Sequence, residues 1–248
     1  MSQLPNTLEE AIEQALNATK IALEDGQRRV QVELVFPEIA LRAQAIAWQF
    51  TSLFTEYGSG LKVLFCDTGA AALARRDWGE VEFKITDLGS RHTPVDTKID
   101  EEDQVFLVVC PSSVEVNLVE KLCNLAEDRP VVILTPQLED VSIVGIGYAA
   151  RQLRERFLST LVSCYYIRPL EAGAILRFYP HPWQVWLAKE NDYELIAELP
   201  NKPMGEALEQ IFLQATSSEE SGRNEQKVTP KKKGFLSSVQ QMFRALNQ

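Results

Sequence analysis

Apolar positions in the first part of the chain recur with two different periods, and this alternation predicts helices and strands in turn. Residues 7–10 have the form of a capping box, and the apolar residues behind them recur at helical spacing as far as residues 25–26. Val30, Val32 and Leu34 then alternate with polar residues, as in a half-buried strand. The first two predicted elements are therefore a helix and a strand.

The same two patterns repeat as far as residue 134. A second helix is predicted to begin at Pro37 and to carry its apolar side chains at Leu41, Ala45, Trp48 and Leu53. Further strands are predicted at 61–65, 81–85, 105–109 and 131–134, with helices at 70–76 and 112–126. The alternation predicts an α/β fold with a mostly parallel, Rossmann-like sheet and flanking helices.

Two other stretches have patterns of their own. The acidic residues 90–103 are expected to form a surface loop. From residue 147 the pattern changes to a helix rich in arginine, then to strands at 161–167, 174–178, 184–188 and 193–199 and a helix at 204–213. Turns this short join antiparallel neighbours, so a meander is expected to extend or abut the parallel sheet. Residues 1–213 are interpreted as one domain with a parallel half, 1–146, and an antiparallel half, 147–213.

Beyond residue 213 the chain loses apolar residues and then regains them in a short segment. Residues 214–233 are predicted to be a disordered linker, because their composition cannot offset the entropy of ordering. Residues 234–248 are predicted to form an amphipathic helix that could lie on an anionic membrane, dock in a partner's groove, or fold back on its own domain. Its candidate binding residues, with the lysines before it, are Lys231, Lys232, Lys233, Phe235, Leu236, Val239, Met242, Phe243 and Leu246.

Charge narrows the classes of partner. The chain has a formal net charge of -10, which argues against binding nucleic acid through its phosphates. Within it, a local excess of positive charge is formed by Arg151, Arg154, Arg156, Arg168 and Arg177. Of these, Arg151, Arg154 and Arg168 are the candidates for contacting an acidic partner. The alternative is that they pair with carboxylates of the same domain.

Asp67, Thr68 and Gly69 follow a buried strand and precede a helix, which is where parallel α/β sheets usually bind ligands. The helix N-terminus there could bind an anion or orient a ribose, in a crevice near Asp67, Gly69 and Pro111. Asp67 could equally be the N-cap of that helix. A single Asp-Thr-Gly does not indicate an aspartic protease, since that chemistry needs two carboxylates sharing a proton.

Other motifs for cofactors or metals are weak in this sequence. Residues 145–150 fit the loose pattern Gly-x-Gly-x-x-Ala, but no acidic residue follows at the distance of a ribose ligand. His92 and His181 have no neighbours at metal-ligand spacing. No cofactor and no metal site are therefore predicted.

Cysteine usage and hydropathy bear on location. Cys66, Cys110, Cys123 and Cys164 are widely and irregularly spaced, as is typical of the buried thiols of an intracellular protein. No secretory signal is visible, and no stretch approaches the length of a membrane span. A cytoplasmic location, or a peripheral one on a membrane, is expected.

Several ordered motifs resemble those of one known family. They are residues 64–79, 151–157, 165–170 and 177–180, together with Trp183. Over nearly all of residues 5–213 the chain is similar to the family called domain of unknown function 1995, whose members occur in cyanobacteria and plastids. Relatives in chloroplasts include the low photosystem II accumulation proteins, which resemble assembly factors for that complex. The resemblance implies no catalytic residue. With no transit peptide visible in the sequence, the cytosol or the cytosolic face of the thylakoid membrane is expected.

Two functions are expected from the sequence. The first is a non-enzymatic binding or assembly factor for photosystem II complexes, which docks through the arginines at 151–168 and is tethered by residues 235–246. The alternative is an enzyme or sensor that binds a phosphate-bearing small molecule or nucleotide in the crevice near Asp67, Gly69 and Pro111.

Overall fold

The computed structural model describes residues 4–90, 93–138, 148–190 and 192–222. Within these ranges it contains a nine-stranded sheet with the strand order β3-β2-β4-β5-β1-β6-β7-β8-β9. The strands are β1 (Arg29–Leu34), β2 (Leu61–Phe65), β3 (Lys84–Asp87), β4 (Val105–Val109), β5 (Val131–Leu134), β6 (Val162–Pro169), β7 (Gly173–Phe178), β8 (Trp183–Ala188) and β9 (Tyr193–Leu199). The helices are α1 (Leu8–Glu24), α2 (Ala43–Thr51), α3 (Thr68–Trp78), α4 (Val116–Ala126), α5 (Tyr148–Arg156) and α6 (Gly205–Gly222).

One strand joins the parallel and antiparallel parts of the sheet. β6 pairs in parallel with β1 on one side and antiparallel with β7 on the other. Every pair from β3 to β6 is parallel, and β6, β7, β8 and β9 form the meander. The predicted α/β fold is therefore confirmed, and the meander extends the parallel sheet.

Helices cover both faces of the parallel strands. α1, α2 and α3 pack on one face, and α4 and α5 pack on the other. In β4, Val105, Leu107 and Val109 face the first layer, whereas Phe106 and Val108 face the second. A central strand that is apolar at every residue is what burial on both faces requires.

The capping box predicted at the start of α1 is confirmed. The hydroxyl of Thr7 accepts a hydrogen bond from the backbone N–H of Glu10 at 3.1 Å, and the Glu10 carboxylate accepts from the N–H of Asn6 at 2.7 Å. α1 ends at Glu24, just before Gly26, which has a φ of 86°. The predicted buried stripe of α4 is also found, at Val116, Val119, Leu122, Cys123 and Ala126.

The prediction for the second helix is wrong in its buried face. The segment is divided into a 3-10 turn at Ile39–Arg42, α2, and a further 3-10 stretch at Ser52–Gly60. Leu41 is 81% exposed and Trp48 45% exposed. The breaks in the helical path turn a different set inward, namely Ile39, Ile46, Ala47, Phe50 and Phe54. The ring of Trp48 packs instead on Trp78, with 5.3 Å between the ring centroids.

β3 and the acidic loop after it also differ from their predictions. β3 lies at Lys84–Asp87 instead of 81–85, because its register is set by the parallel ladder with β2. The predicted loop at 90–103 contains a 3-10 turn at Val95–Lys98, and the side chain of Asp103 is fully buried. This loop is therefore partly integrated into the core.

α6 is longer than predicted. It was expected to end at residue 213, with a disordered linker from 214, but it continues to Gly222. In this extension the hydroxyls of Thr216 and Ser217 donate to backbone carbonyls of the preceding turn. The remaining part of the predicted linker and the predicted helix at 234–248 lie outside the described residues.

Candidate functional site

The orientation of α5 is set by contacts on its inner side and on one flank. Leu153 is 6% exposed and Phe157 is 1% exposed, within the core that α4 and α5 share. Arg156 donates two hydrogen bonds to the carboxylate of Glu120 on α4, at 2.7 and 2.9 Å. The same carboxylate raises the pKa of Arg156. The buried side chains of Leu153 and Phe157 set the orientation of α5, and the Arg156–Glu120 pair adds a bidentate contact to α4.

Arg151 and Arg154 lie on the flank of α5 that points away from α4. They are separated from Arg156 by roughly 140° and 160° around a helix with 3.6 residues per turn. Both are exposed, and Tyr148 at the start of α5 is 77% exposed. Gln152 donates to the Tyr148 hydroxyl at 2.8 Å. Arginine beside exposed tyrosine is the composition of energetic hot spots at protein interfaces.

Arg168 lies on the same face of the sheet as α5. On β1, Gln31 pairs with Ile133 of the core beneath α5, and Glu33 pairs with Tyr166 of β6. Alternate residues of a strand share a face, so Tyr166 and Arg168 point to the α5 side. Arg168 itself is exposed near the end of β6. We call Tyr148, Arg151, Arg154 and Arg168 the basic face.

Arg156 and Arg177 of the predicted basic group have contacts within the domain. Arg156 is held by Glu120, as described above. Arg177 donates to the backbone carbonyl of His181 in the turn between β7 and β8, and burial lowers its pKa. His181 itself is exposed.

A polar cluster that the sequence does not signal joins the two halves of the sheet. The carboxylate of Glu33 accepts from the Ser163 hydroxyl at 2.6 Å, from Lys202 Nζ at 3.2 Å and from Gln31 Nε2 at 3.2 Å. Lys202 Nζ also lies 3.9 Å from the ring centroid of Tyr166. These contacts hold the segment before α6 against the sheet.

The second candidate site lies at a topological switch point. β2 and β4 are adjacent parallel strands, and the helices that follow them, α3 and α4, cover opposite faces of the sheet. Rossmann-like sheets bind ligands in the crevice that such a divergence opens at the carboxyl ends of the strands. Asp67, Thr68 and Gly69 are at this place in the fold, and Pro111 follows the neighbouring strand.

Carboxylates occupy the helix N-termini of this crevice. Asp67 is the N-cap of α3 and accepts from the backbone N–H of Ala70 at 2.9 Å. Before α4, Glu115 accepts from the N–H and the hydroxyl of Ser112, at 2.9 and 2.6 Å. The Thr68 hydroxyl donates to the carboxylate of Asp87 at 3.3 Å, and Gly69 is exposed. The capping interpretation of Asp67 is confirmed.

Two carboxylates of the crevice act on the thiol of Cys66. Burial and the nearby charges of Glu115 and Asp67 raise the pKa of the Cys66 thiol to about 12, with burial the largest cause. The thiol proton is used in hydrogen bonding to the carbonyls of Val109 and Cys110, at 3.3 and 3.1 Å. The same carboxylates oppose the approach of a phosphate group.

Backbone strain marks the same edge of the sheet. Cys110 and Thr135 directly follow β4 and β5 and have positive φ angles of 52° and 46°. Glu38, in the connection after the adjacent strand β1, has a φ of 58°. Each left-handed residue of this type costs about 1–2 kcal/mol, and such strain concentrates at functional sites. The Thr135 hydroxyl is buried and has no hydrogen-bond partner within the part of the chain that the structure describes.

Several residues named in the sequence analysis are not among those that the structure describes. His92, the glycines at 145 and 147, and the candidate residues between 231 and 246 lie outside the described residues. Among the residues that are described, no group of three or more His, Cys, Asp or Glu side chains is arranged to hold a metal ion. None of the described helices combines the length and apolarity that crossing a membrane requires.

Comparison with known proteins places the chain in a family. No curated protein matches the sequence. A family model matches residues 5–210, a range that includes all nine strands and the first turns of α6. The chain therefore belongs to the family described as Domain of unknown function (DUF1995).

Proposed function

We propose that the protein is a non-enzymatic binding and assembly factor that docks on an acidic surface of a photosynthetic membrane complex through its basic face. The observation that carries this proposal is the fixed orientation of α5. Leu153 and Phe157 are buried in the core and Arg156 pairs with Glu120, so Tyr148 and Arg151 face outward in a chain of net charge -10. A basic surface on an acidic protein favours binding to acidic partner surfaces and disfavours binding to basic ones.

The resemblance noted in the sequence supports a particular partner. Chloroplast proteins with similar motifs resemble assembly factors for photosystem II, so the proposed partner is a subunit or assembly intermediate of that complex. The proposed location is the cytosolic face of the thylakoid membrane in a cyanobacterium, or the equivalent face in a plastid. Residues 231–246 would supply the second contact, with the lipid surface.

Affinity isolation from solubilised thylakoid membranes tests the protein contact. The Arg151→Gln/Arg168→Gln double variant removes two exposed charges from the basic face. The Lys20→Gln/Arg76→Gln variant removes two charges from side chains that are 64% and 73% exposed elsewhere. We expect the first variant to retain about a tenth or less of the photosystem II subunits that the wild-type protein retains, and the second to match the wild type. Equal retention by both variants would overturn the proposal.

A second function is favoured by the switch point and by the strained residues Cys110 and Thr135. It is the binding of a phosphate-bearing small molecule or nucleotide in the crevice after β2 and β4, as an enzyme or sensor. A thermal-shift screen against nucleotides and sugar phosphates tests it. A reproducible rise in Tm with one class of compound would support this function, and no shift across the panel would count against it.

A further inference from the structure

α6 carries an apolar stripe that continues past its contact with the sheet. Leu208 packs against the cluster of Tyr166, Ile175 and Trp183. Ile211, Phe212 and Ala215 extend the stripe at helical spacing, and each is half-buried. The helix has 18 residues, or about 27 Å of length, and the stripe from Leu208 to Ala215 covers about 10 Å of it.

α6 and the chain beyond it have opposite charge. The sequence of α6 contains four glutamates, at 206, 209, 219 and 220, and no lysine or arginine. Residues 226–248 contain five basic residues, at 227, 231, 232, 233 and 244, and no acidic residue. The later segment also has the apolar stripe from Phe235 to Leu246, so the two segments match in both charge and apolarity.

We propose that residues 234–248 pack antiparallel against α6 and form a helical hairpin with it. A helix of 15 residues is about 22 Å long, so it is long enough to cover the apolar stripe of α6. The intervening residues 223–233 are enough to reverse the chain direction, since helical hairpins need only 2–5 residues in the connection. The connection also keeps the two segments at a high effective concentration, so even a weak contact is populated.

The hairpin buries the side chains that would enter a membrane. The stripe from Phe235 to Leu246 cannot contact α6 and lipid at the same time, so an anionic membrane competes with α6 for the segment. This regulatory consequence rests on the proposed membrane contact, whereas the intramolecular contact does not. Association with the membrane then releases α6 as well as the segment itself.

Hydrogen exchange on the full chain tests the intramolecular contact without lipid. Phe243→Glu places a charge in the apolar stripe, and Gln241→Glu adds the same charge on the opposite face of a helix. We expect the amides of α6 to exchange about tenfold faster in Phe243→Glu than in the wild type, and to be unchanged in Gln241→Glu. Unchanged exchange in β4 and β5 shows that the domain remains folded. Equal α6 exchange in Phe243→Glu and the wild type would overturn the hairpin.

Vesicles separate the hairpin from the membrane contact. Phosphatidylglycerol vesicles, but not phosphatidylcholine vesicles, are expected to bind the wild-type protein and to accelerate α6 exchange to the rate of Phe243→Glu. If Phe243→Glu accelerates exchange and vesicles do not, the hairpin stands and the membrane contact fails. If vesicles bind the protein while α6 exchange is the same in all variants, the membrane contact stands and the hairpin is wrong.

Discussion

Lys62 Nζ lies 2.5 Å from the carboxylate of Asp103, and the two side chains are 4% and 0% exposed. Asp103 also pairs with Lys84 at 2.9 Å, and Lys62 donates to the backbone carbonyl of Lys98. The pair links the amino end of β2 to the residue that precedes β4 by two positions. Two fully buried charges must be paired to be tolerated in a core, so this contact fixes the acidic loop to the sheet.

Removing one partner of this pair is expected to cost stability. Lys62→Met should lower the free energy of unfolding by about 3 kcal/mol, because Asp103 is left buried with Lys84 as its remaining cation. Urea unfolding at equilibrium measures the change. The matched control is Lys20→Met, since Lys20 and Glu24 are 64% and 63% exposed, and a change within about 0.5 kcal/mol is expected there. Equal losses in the two variants would contradict the role given to burial.

The same network predicts a dependence of stability on acid. Hydrogen bonds from Lys62 and Lys84 lower the pKa of Asp100 from 3.8 to about 2. The unfolded chain therefore takes up a proton at higher pH than the folded protein does, and stability falls as pH decreases from 3.8 toward 2. Acid titrations of the wild type and of Asp100→Asn test this. The variant should lose less stability across that window, and parallel curves would argue against the assignment.

Asp67 offers a test of capping that is independent of any ligand. Its carboxylate accepts from the Ala70 N–H at the start of α3. Asp67→Ala should lower the free energy of unfolding by about 1 kcal/mol, whereas Asp67→Asn should retain most of the stability, because asparagine is an equally good N-cap. Thermal unfolding of the three proteins without added ligand is the measurement. If Asn were as costly as Ala, the charge of Asp67 and not its capping bond would be what matters.

Three thiols with raised pKa values are expected to resist alkylation in the folded protein. Burial raises the pKa of Cys66, Cys123 and Cys164 to about 12. Iodoacetamide reacts with thiolate, so at pH 8 these residues should label far more slowly in buffer than in concentrated urea. By linkage, their contribution to stability is complete below 9.0 and is lost as pH rises from 9.0 toward 12. Labelling followed by peptide mass spectrometry checks each site, and rapid native labelling of Cys123 or Cys164 would refute its burial.

Gly173 on β7 tests how closely the meander is packed. A Cβ atom at this position would overlap the backbone carbonyl of Trp186 on the paired strand β8. Gly173→Ala should therefore destabilise the domain by about 2–3 kcal/mol. Gly26 provides the comparison, since it has a φ of 86° but open space around it. Gly26→Ala should lower the free energy of unfolding by about 1 kcal/mol, from backbone strain alone. If Gly173→Ala lowered it by no more than this, the overlap with Trp186 would be excluded.

Periodicity predicted most strands and helices because it reports burial residue by residue. β4 and β5 were predicted at their observed bounds, and so was the stripe of α4, since each is covered by neighbours along its whole length. The predicted buried face of the second helix was wrong, because periodicity does not identify the core side when apolar residues lie all around a helix. Its apolar residues lie on more than one side, and the breaks around α2 decide which of them, Leu41 and Trp48 or Ile46 and Phe50, face the core.

The sequence predicted a group of arginines on α5, but it did not predict the contact between Arg156 and Glu120. Glu120 and Arg156 are 36 residues apart, and their contact follows from the packing of α4 beside α5. The exposure of Tyr148 could not be predicted, because the sequence does not distinguish an exposed aromatic side chain from a buried one. Asp67 was the opposite case, since the capping bond spans only three residues and was one of two readings available from local sequence.

The sequence by itself determined the α/β class, the order of elements and the change from parallel to antiparallel strands, because hydrophobic period and turn length are local properties of the chain. Tertiary structure decided which distant side chains meet. Glu33 contacts Ser163 and Lys202 across 130 and 169 residues, and Lys62 meets Asp103 only because β2 and β4 are neighbours in the sheet. From sequence alone a charged residue is predicted to lie on the surface. It can be buried only when the fold brings an opposite charge or a hydrogen-bond partner next to it.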